Sequence, residues 1–537
     1  MCDHHKRSLQ GLSHQNKKAH AQDHHFWNRR DFMHTMGLST SMAMLLGRTP
    51  LRAFSSRPTN FTGSTDRVTV MIRLAGGNDG LNTIIPVYEY NRYQSLRPNL
   101  AFNQNQLSPL SQEFAVPSTA QGFTQMWQEG MMKVVHGVGY PDQNLSHFRS
   151  TDIWSTASDA NEDLSSGWLG RLITLDDPDI TEAPPEFPAA IQIGNSGNLS
   201  FNNADRVNLS FNVSNTNQLF QIAEEGKLYS TDNLPDCLHG AQVDYVRQIA
   251  NNTYRYADVI KEAYEKAGNE VEYSRSELAD QLAIVARLIK GGLPTSFYLV
   301  TLNGFDTHAN QMNNHRNLIN WLSANVYEFY QDLQSDGVSQ DRVLTMTTSE
   351  FGRRPQQNAS AGTDHGAAAP MLLFGPELGE SGFVGTHPDL YSFDAANNLI
   401  HTTDYRAIYQ SIIENWMCFS VSDAEQVVGG SFGPIDLGLS CQATRVSRHP
   451  LPSGNIRMAT QGYNHFHFSF ELVENAHTQI QVFDLSGRMV AKMHRGQLQR
   501  GYHTFELQAA QYNLIPGLYI FTVRANRSVT SKKFVIH

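Results

Sequence analysis

Carboxylate and histidine side chains follow four apolar runs of this chain, at the point where each run ends. The runs cover residues 68–74, 132–138, 296–302 and 342–348, and the side chains that follow them are Asp79, then Ser146 and His147, then Asp306 and His308, and then Glu350, Asp364 and His365. Carboxylate oxygens and imidazole nitrogens are ligands that divalent metal ions take in proteins. The pattern predicts a metal-dependent hydrolase, although it does not indicate the substrate.

Asp306 and His308 are separated by one residue. In an extended loop, residues i and i+2 point to the same side, so both side chains could reach one ion. Asp306 could instead cap the following helix, with His308 hydrogen-bonded beside it. His315, further along that helix, is a reserve ligand. The pattern favours His365 as a nitrogen ligand, because it lies with Asp364 in a short polar segment flanked by glycines.

Asp79 and Glu350 are further predicted oxygen ligands. Asp79 lies in a glycine-rich turn that lets a ligand approach closely, but it could also be a simple turn-forming aspartate. Glu350 would bind through oxygen, which favours magnesium, calcium or manganese there, whereas the histidines keep zinc open. Arg353 and Arg354 could hold an oxyanion through bidentate hydrogen bonds, or form ion pairs with neighbouring carboxylates.

Ser146 is the candidate nucleophile, because free N–H groups at a helix start stabilise an attacking or bound oxyanion. It could equally serve as an ordinary N-cap. His147 beside it is a candidate general acid or metal ligand. Thr83 is the second candidate nucleophile. The chain lacks a Cys-x-Pro-x-Arg sequence, which counts against a formylglycine sulfatase.

The elements that must position these residues alternate between strands and helices. Continuous apolar runs are typical of parallel strands buried on both faces, and their carboxyl ends meet at one edge of the sheet. Helical stripes occur at 278–289 and 318–333, each directly before a predicted strand. This order predicts an α/β fold with a doubly wound, mostly parallel sheet. Residues 176–240 are richer in Asn, Ser and Pro, and we interpret them as a cap or insertion.

Composition and the N-terminal end limit the class of protein. The chain has 537 residues, 40% of them hydrophobic and 17% charged, with a formal net charge of -10. These values predict several globular domains and give no indication of nucleic acid as a partner. Residues 28–33 resemble the twin-arginine export consensus, and the apolar stretch 36–46 is too short to span a membrane. We therefore interpret residues 1–55 as an export signal region and predict no membrane span.

The C-terminal end changes to short alternating runs that predict a small antiparallel β-sandwich over residues 454–537. Its segments 484–488, 516–519 and 532–536 resemble the C-terminal sorting domain of type IX secretion. The resemblance implies passage through the periplasm to the outer-membrane surface or beyond, with the twin-arginine and type IX machineries as partners. A carbohydrate-binding sandwich is the alternative.

Cys418 and Cys441 could pair in an oxidising compartment, which would leave Cys237 free.

The middle of the chain resembles the "domain of unknown function 1501" family. The segments that carry the resemblance are 76–82, 146–154, 305–308, 349–353 and 364–366, and it covers about residues 67–419. That family is similar to the alkaline phosphatase and sulfatase superfamily, which implies an alkaline-phosphatase-like core over residues 56–447 and two metals beside a nucleophile. The chain departs from the superfamily in having Phe351 where a histidine is expected, and in the close spacing of Asp306 and His308.

Our hypothesis is an exported hydrolase of phosphate or sulfate esters that acts on a small-molecule or glycan substrate. Two alternatives stay open. One is a non-catalytic surface protein that keeps the fold, which the presence of Phe351 would favour. The other is an enzyme that modifies surface polysaccharide.

Overall fold

The computed structural model describes residues 66–181, 184–194, 197–213, 220, 223–224, 238–441, 456–460, 464–472, 476–484, 489–512, 514–525 and 528–536. The chain divides into two units, Met1–Cys441 and Gln442–His537. The predicted signal region 1–55 and Cys237 lie outside the described residues.

The first unit contains both strands and helices. Its strands are β1 (Val68–Ala75), β2 (Ile85–Pro86), β3 (Leu107–Pro109), β4 (Phe114–Pro117), β5 (Met132–Gly139), β6 (Ala190–Ile193), β7 (Ser210–Val213), β8 (Phe297–Asn303), β9 (Val343–Thr348), β10 (Gly352–Arg353), β11 (His365–Gly366), β12 (Ala369–Phe374), β13 (Gly382–Val384) and β14 (Thr403–Asp404). Its helices are α1 (Tyr90–Leu96), α2 (Gln121–Gln128), α3 (His147–Thr156), α4 (Trp168–Asp176), α5 (Leu238–Lys266), α6 (Glu277–Lys290), α7 (Gln311–Gln334), α8 (Tyr405–Asn415) and α9 (Val421–Val428).

A large, mostly parallel sheet lies at the centre of this unit. Within the described residues it has nine strands, in the order β13-β5-β12-β9-β1-β8-β6-β7, with β14 paired to β5. β1 runs parallel to both β8 and β9, and β12 runs antiparallel to both β9 and β5. Because β12 is antiparallel to both of these neighbours, β5 and β9 run in the same direction. The carboxyl ends of β1, β5, β8 and β9 therefore face the same edge, as the sequence predicts.

Both faces of the sheet are covered, which explains why most residues of its central strands are buried. Val134 and Val135 are neighbours in β5, yet they belong to two different hydrophobic cores. Helices α6 and α7 pack in the first core, and helices α3, α4 and α8 pack in the second. The predicted doubly wound α/β fold is thus confirmed. Residues 176–240, interpreted as a cap or insertion, contribute β6 and β7 to the sheet where they are described.

Cys418 and Cys441 form a disulfide in the structure, with their Cα atoms 5.4 Å apart. The bond joins the end of the segment after α8 to the last residue of the first unit. The predicted pairing of these two residues is confirmed. Within the part of the chain that the structure describes, no helix is both long enough and apolar enough to cross a membrane.

The second unit is an antiparallel sandwich of two sheets. Its strands are β15 (Arg457–Thr460), β16 (His465–Leu472), β17 (Ala476–Asp484), β18 (Met489–Leu498), β19 (Gly501–Gln508), β20 (Gly517–Ala525) and β21 (Ser528–Ile536). They form the sheets β15-β16-β19 and β18-β17-β20-β21. The rings of Phe468 and Phe521 stack across the core with centroids 3.9 Å apart. The predicted C-terminal sandwich is therefore confirmed.

Candidate metal centre

The loops beyond the carboxyl ends of the central strands bring distant parts of the chain together. Asp306 follows β8, Glu350 follows β9, His147 begins α3 after β5, and His365 begins β11. Gly76, after β1, has a φ of +123°, and a Cβ at this position would lie 2.2 Å from the backbone nitrogen of Asp306. Only glycine fits there, so the loop after β1 packs directly against the loop that carries Asp306.

Three donor atoms converge at Asp306. Its Oδ1 lies 3.2 Å from Nε2 of His308 and 3.3 Å from Nε2 of His365, and the two Nε2 atoms are 3.0 Å apart. Ligands bound about 2.0–2.2 Å from one zinc-class ion are about 2.9–3.5 Å apart at octahedral to tetrahedral angles. The three atoms therefore form a triangle of the size that one such ion requires.

His147 lies on the other side of the same carboxylate. Its Nε2 is 3.6 Å from Oδ2 of Asp306, and its Nδ1 is 3.1 Å from Oε1 of Glu350. One ligand atom each from His147, Asp306 and His365 fits within a sphere of the size that holds a metal, since these atoms all lie within 4.8 Å of one another. His147 is thus a fourth candidate donor at this centre.

In His147, His308 and His365, the Nδ1 atom of the imidazole lies beside an oxygen atom of the protein. Nδ1 of His365 donates to the carbonyl oxygen of Leu145 at 2.8 Å, which leaves a lone pair on Nε2 of the neutral ring. Nδ1 of His308 lies 3.4 Å from Oδ1 of Asp364. The Nδ1 of His147 faces Glu350. Metal-binding histidines are held in this way, with one nitrogen on an oxygen acceptor and the other directed at the ion.

Glu350 is buried behind His147. Its Oε1 accepts from the backbone nitrogen of Gly76 at 2.6 Å, whereas its buried Oε2 has no hydrogen-bond partner among the described residues. Glu350, Arg73 and Trp154 line a cavity of about 20 Å³, which has room for about one water molecule. The predicted ligand Glu350 is therefore placed as the partner of His147, with one oxygen available to a small ligand in this cavity.

Arg353 fixes the geometry of the centre. Its buried guanidinium donates to the backbone carbonyls of Gly76, Gly77, Phe305 and Thr363, and Nη2 lies 2.7 Å from Oδ1 of Asp306. Burial would raise the pKa of the Asp306 carboxyl, but the hydrogen bond and charge of Arg353, together with His365 and His308, lower it below its ordinary value. The predicted oxyanion role of Arg353 is corrected, because all three of its nitrogens already donate to protein oxygens.

Asp364 does not touch the triangle of donors. Its Oδ1 contacts Nδ1 of His308 and Nδ2 of Asn358, the latter at 3.2 Å. The hydrogen bond from Asn358 is the main cause of the lowered pKa of this carboxyl. The predicted ligand Asp364 is thus placed one step further out, where it orients the His308 ring.

Asp79 also lies away from the donors. It is fully buried, and its Oδ2 is 2.6 Å from Nη1 of Arg97, with Gln311 donating to the same oxygen. Both oxygens of the carboxylate are occupied by protein partners, since Oδ1 is 2.8 Å from the same Arg97 nitrogen. This prediction is corrected: Asp79 is part of a buried ion pair and is not carried into the proposed ligand set.

The reserve candidates are buried as well. The hydroxyl of Thr83 donates to Asn78 and to the carbonyl of Asp79, both at 2.9 Å, so it is committed to the turn after β1. His315 is enclosed in α7, with Nε2 3.2 Å from Oδ1 of Asn78, and burial lowers its pKa to about 4. Neither residue contacts Asp306 in the part of the chain that the structure describes.

Ser146 occupies the N-cap position of α3, but its side chain makes no capping hydrogen bond. It is exposed to solvent directly beside His147. The predicted helix start is therefore present, and the hydroxyl is not used to cap it. This leaves Ser146 as a candidate nucleophile on position alone.

Comparison with known proteins identifies the family. A family model described as "Protein of unknown function (DUF1501)" matches residues 133–411, which is just over half of the chain. The chain belongs to this family. A second model, described as a secretion system C-terminal sorting domain, matches residues 462–537 and indicates export to the cell surface or the extracellular space. The search of curated proteins found no match.

Several solved structures are similar to this DUF1501 chain at low identity. One is a protein in the alkaline phosphatase superfamily from Vibrio parahaemolyticus, with 9% identity, 92% of this chain and 86% of that chain covered, and a TM-score of 0.28. Another is the PsFucS1 sulfatase from Pseudoalteromonas sp., with 9% identity, 83% and 84% coverage, and a TM-score of 0.29. The lipoteichoic acid synthase LtaP from Listeria monocytogenes has 7% identity, 75% and 81% coverage, and a TM-score of 0.27. Likeness of this degree assigns no chemistry to the DUF1501 chain.

Phe351 has a structural role in this DUF1501 centre that the sequence did not reveal. Its ring centroid lies 4.3 Å from that of His365 and 4.9 Å from that of His147. Gly77 makes room for it, since a Cβ there would come within 2.5 Å of the ring. Phe351 is therefore an apolar wall against the imidazoles of His147 and His365.

We expect Asp364→Asn to lower the metal affinity of this centre by about 10- to 100-fold, because it removes the charge that orients His308. The measurement is a metal titration in competition with a chelator. Asp142→Asn makes the same chemical change at an exposed position of the loop after β5 and serves as the control. Equal affinity of both variants would show that Asp364 does not support the ion.

Proposed function

We propose that this chain is an exported, metal-dependent hydrolase of phosphate or sulfate esters, with its metal centre at Asp306. The observation that supports the proposal most strongly is the convergence of two imidazole Nε2 atoms and Oδ1 of Asp306 within 3.0–3.3 Å of one another. His308, His365 and Asp306 would hold the ion, and His147 would act beside it as the proton-transfer group.

Accessibility supports catalysis over a purely structural ion. The Asp306 side chain is 50% exposed and that of His308 is 45% exposed, so solvent and a substrate reach the centre. Structural zinc sites are closed by four protein ligands, whereas catalytic sites keep a position open. The nitrogen-rich donor set favours a zinc-class ion, or manganese, over magnesium or calcium, which take oxygen ligands.

A bound ion would supply Lewis-acid chemistry, by lowering the pKa of water at the centre and withdrawing charge from a phosphoryl or sulfuryl oxygen. The protein's own groups have separate tasks. Arg353 holds Asp306 in place, and Glu350 holds the His147 ring. His147 would exchange a proton with the attacking or leaving oxygen through Nε2, which faces the centre. Ser146, exposed at the start of α3, is the candidate nucleophile, with water as the alternative.

The test is elemental analysis of the full chain, followed by assays on synthetic phosphate and sulfate esters with and without a chelator. We expect bound divalent metal, hydrolysis of one ester class, loss of activity with the chelator and recovery when metal is returned. Ser146→Ala separates the two nucleophiles, since only a serine mechanism loses its turnover. Metal-loaded protein that hydrolyses no ester in the panel would instead support the non-catalytic surface protein.

A more specific version of this proposal is that the ester is carried by a polysaccharide on the cell surface. The sorting domain indicates export, which places the chain where such polymers occur. Sulfated and phosphorylated polysaccharides, compared with small synthetic esters at equal ester concentration, would decide between the two substrate sizes. Release of phosphate or sulfate from the polymer alone would favour the polysaccharide-modifying enzyme.

A further inference from the structure

The solvent-facing side of the sheet β15-β16-β19 carries two histidines and a carboxylate. Phe466, Phe468 and Phe470 alternate along β16 and are buried in the core of the sandwich. His465 and His467 therefore project from the opposite face, since side chains alternate along a strand. On the neighbouring strand β19, Glu506 lies directly opposite His467 in the antiparallel register.

These three side chains are close enough to share a ligand. Nε2 of His465 lies 2.5 Å from Oε1 of Glu506, and the rings of His465 and His467 have centroids 4.9 Å apart. One donor atom from each of the three residues lies within 4.8 Å of the other two. Gln508 donates to the same Glu506 oxygen at 2.8 Å and so helps to hold the carboxylate in position.

His467 supplies an independent observation. Its Nε2 is buried, yet it has no hydrogen-bond partner among the described residues. An ion pair between His465 and Glu506 would account for those two side chains but leaves this nitrogen unsatisfied. A buried polar atom without a partner is rare in native proteins, and coordination to a metal ion would satisfy this one.

We propose that His465, His467 and Glu506 form a second metal site, which binds one divalent ion of the zinc class on the exposed face of the C-terminal sandwich. Two imidazoles and one carboxylate match the ligand preference of zinc. Nitrogen and oxygen ligands of zinc lie about 2.9–3.5 Å apart around the ion, so small side-chain rotations would close the site from the separations above. Solvent would fill the remaining coordination positions.

The consequence for the fold is a bridge between two strands. His465 and His467 belong to β16 and Glu506 to β19, which pair along their whole lengths in one sheet. An ion bound to both strands opposes their separation.

Hydrogen exchange by mass spectrometry on the full chain, with and without zinc at neutral pH, tests this proposal. We expect zinc to slow exchange in peptides that cover residues 464–472 and 501–508. The peptide readout separates this site from the centre at Asp306 and from the histidines of residues 1–55, because each lies in other peptides. In His467→Gln the zinc concentration needed for half-maximal slowing should rise at least about tenfold.

Ser469→Ala is the matched control, since Ser469 is the next residue on the same face of β16 and supplies none of the three ligands. It should respond to zinc as the wild type does. Exchange without zinc verifies that both variants are folded, and Glu506→Gln provides a second ligand variant if His467→Gln is not. Peptides that do not respond in the wild type, or that respond equally in His467→Gln, would overturn the proposal.

Discussion

Asp306→Asn should remove the metal from the first unit and, with it, the ester hydrolysis. Oδ1 of Asp306 touches His308, His365 and Arg353, so it is the shared vertex of the donor set. The amide keeps the shape but loses the charge that balances the ion. We expect metal affinity to fall by more than the roughly 100-fold that loss of an orienting partner costs. Because the C-terminal site would also bind zinc, elemental analysis after dialysis against a weak chelator is made in the His467→Gln background, with and without Asp306→Asn.

The same variant should remain folded. The Asp306 side chain is half exposed, and asparagine still offers an oxygen to Arg353, so we expect little change in the unfolding midpoint. Asp142→Asn is the control and should retain both metal and turnover. Full metal occupancy in Asp306→Asn would refute the centre at this position. Full occupancy in the variant of His308 or His365 would refute their place in it.

Arg97→Met should destabilise the first unit by about 3–5 kcal/mol without changing its metal content, because it leaves the Asp79 charge buried and unpaired. Both side chains of this ion pair are fully buried, at 0% exposure. The measurement is urea unfolding at neutral pH, combined with elemental analysis. The double variant Asp79→Leu with Arg97→Met removes both charges and should recover part of the lost stability.

Acidification should reduce the difference in free energy of unfolding between the wild type and Arg97→Met. Burial alone would raise the pKa of Asp79, but the charge of Arg97 leads the effects that lower it below its ordinary value. A lowered folded-state pKa contributes stability above the unfolded-state pKa of about 3.9, and this contribution is lost as the pH falls through the folded-state value. In Arg97→Met, burial without Arg97 should raise the pKa of Asp79, so protonation at low pH removes the buried unpaired charge and its cost to stability. A gap that stays constant down to pH 3 would contradict the assignment of this pair.

The strands and the sheet edge could be predicted because they depend on local patterns. Residues 68–74, 132–138, 296–302 and 342–348 are apolar runs whose burial on both faces follows from helices packing on each side, and all four are strands in the structure. The alternation of these strands with helices then places their carboxyl ends together. These inferences needed no knowledge of side-chain partners.

The roles of individual carboxylates could not be predicted in the same way. Asp79 and Asp306 both follow a buried strand and both pair with an arginine, yet Asp79 is fully buried against Arg97 whereas Asp306 is half exposed beside Arg353. Arg97 lies after α1 and carries no motif that links it to the loop after β1. Glu350 and Asp364 likewise resemble ligands in the sequence, whereas the structure places them against the Nδ1 atoms of His147 and His308.

Arg353 also connects the loops that surround the proposed centre. A single guanidinium joins the loop after β1, the loop after β8 and the segment before β11, and it grips Asp306 as well. The polypeptide itself therefore holds together the loops that carry the donor atoms, and it needs no cation to do so. Removal of an ion from the proposed centre should therefore leave the backbone of these loops in place.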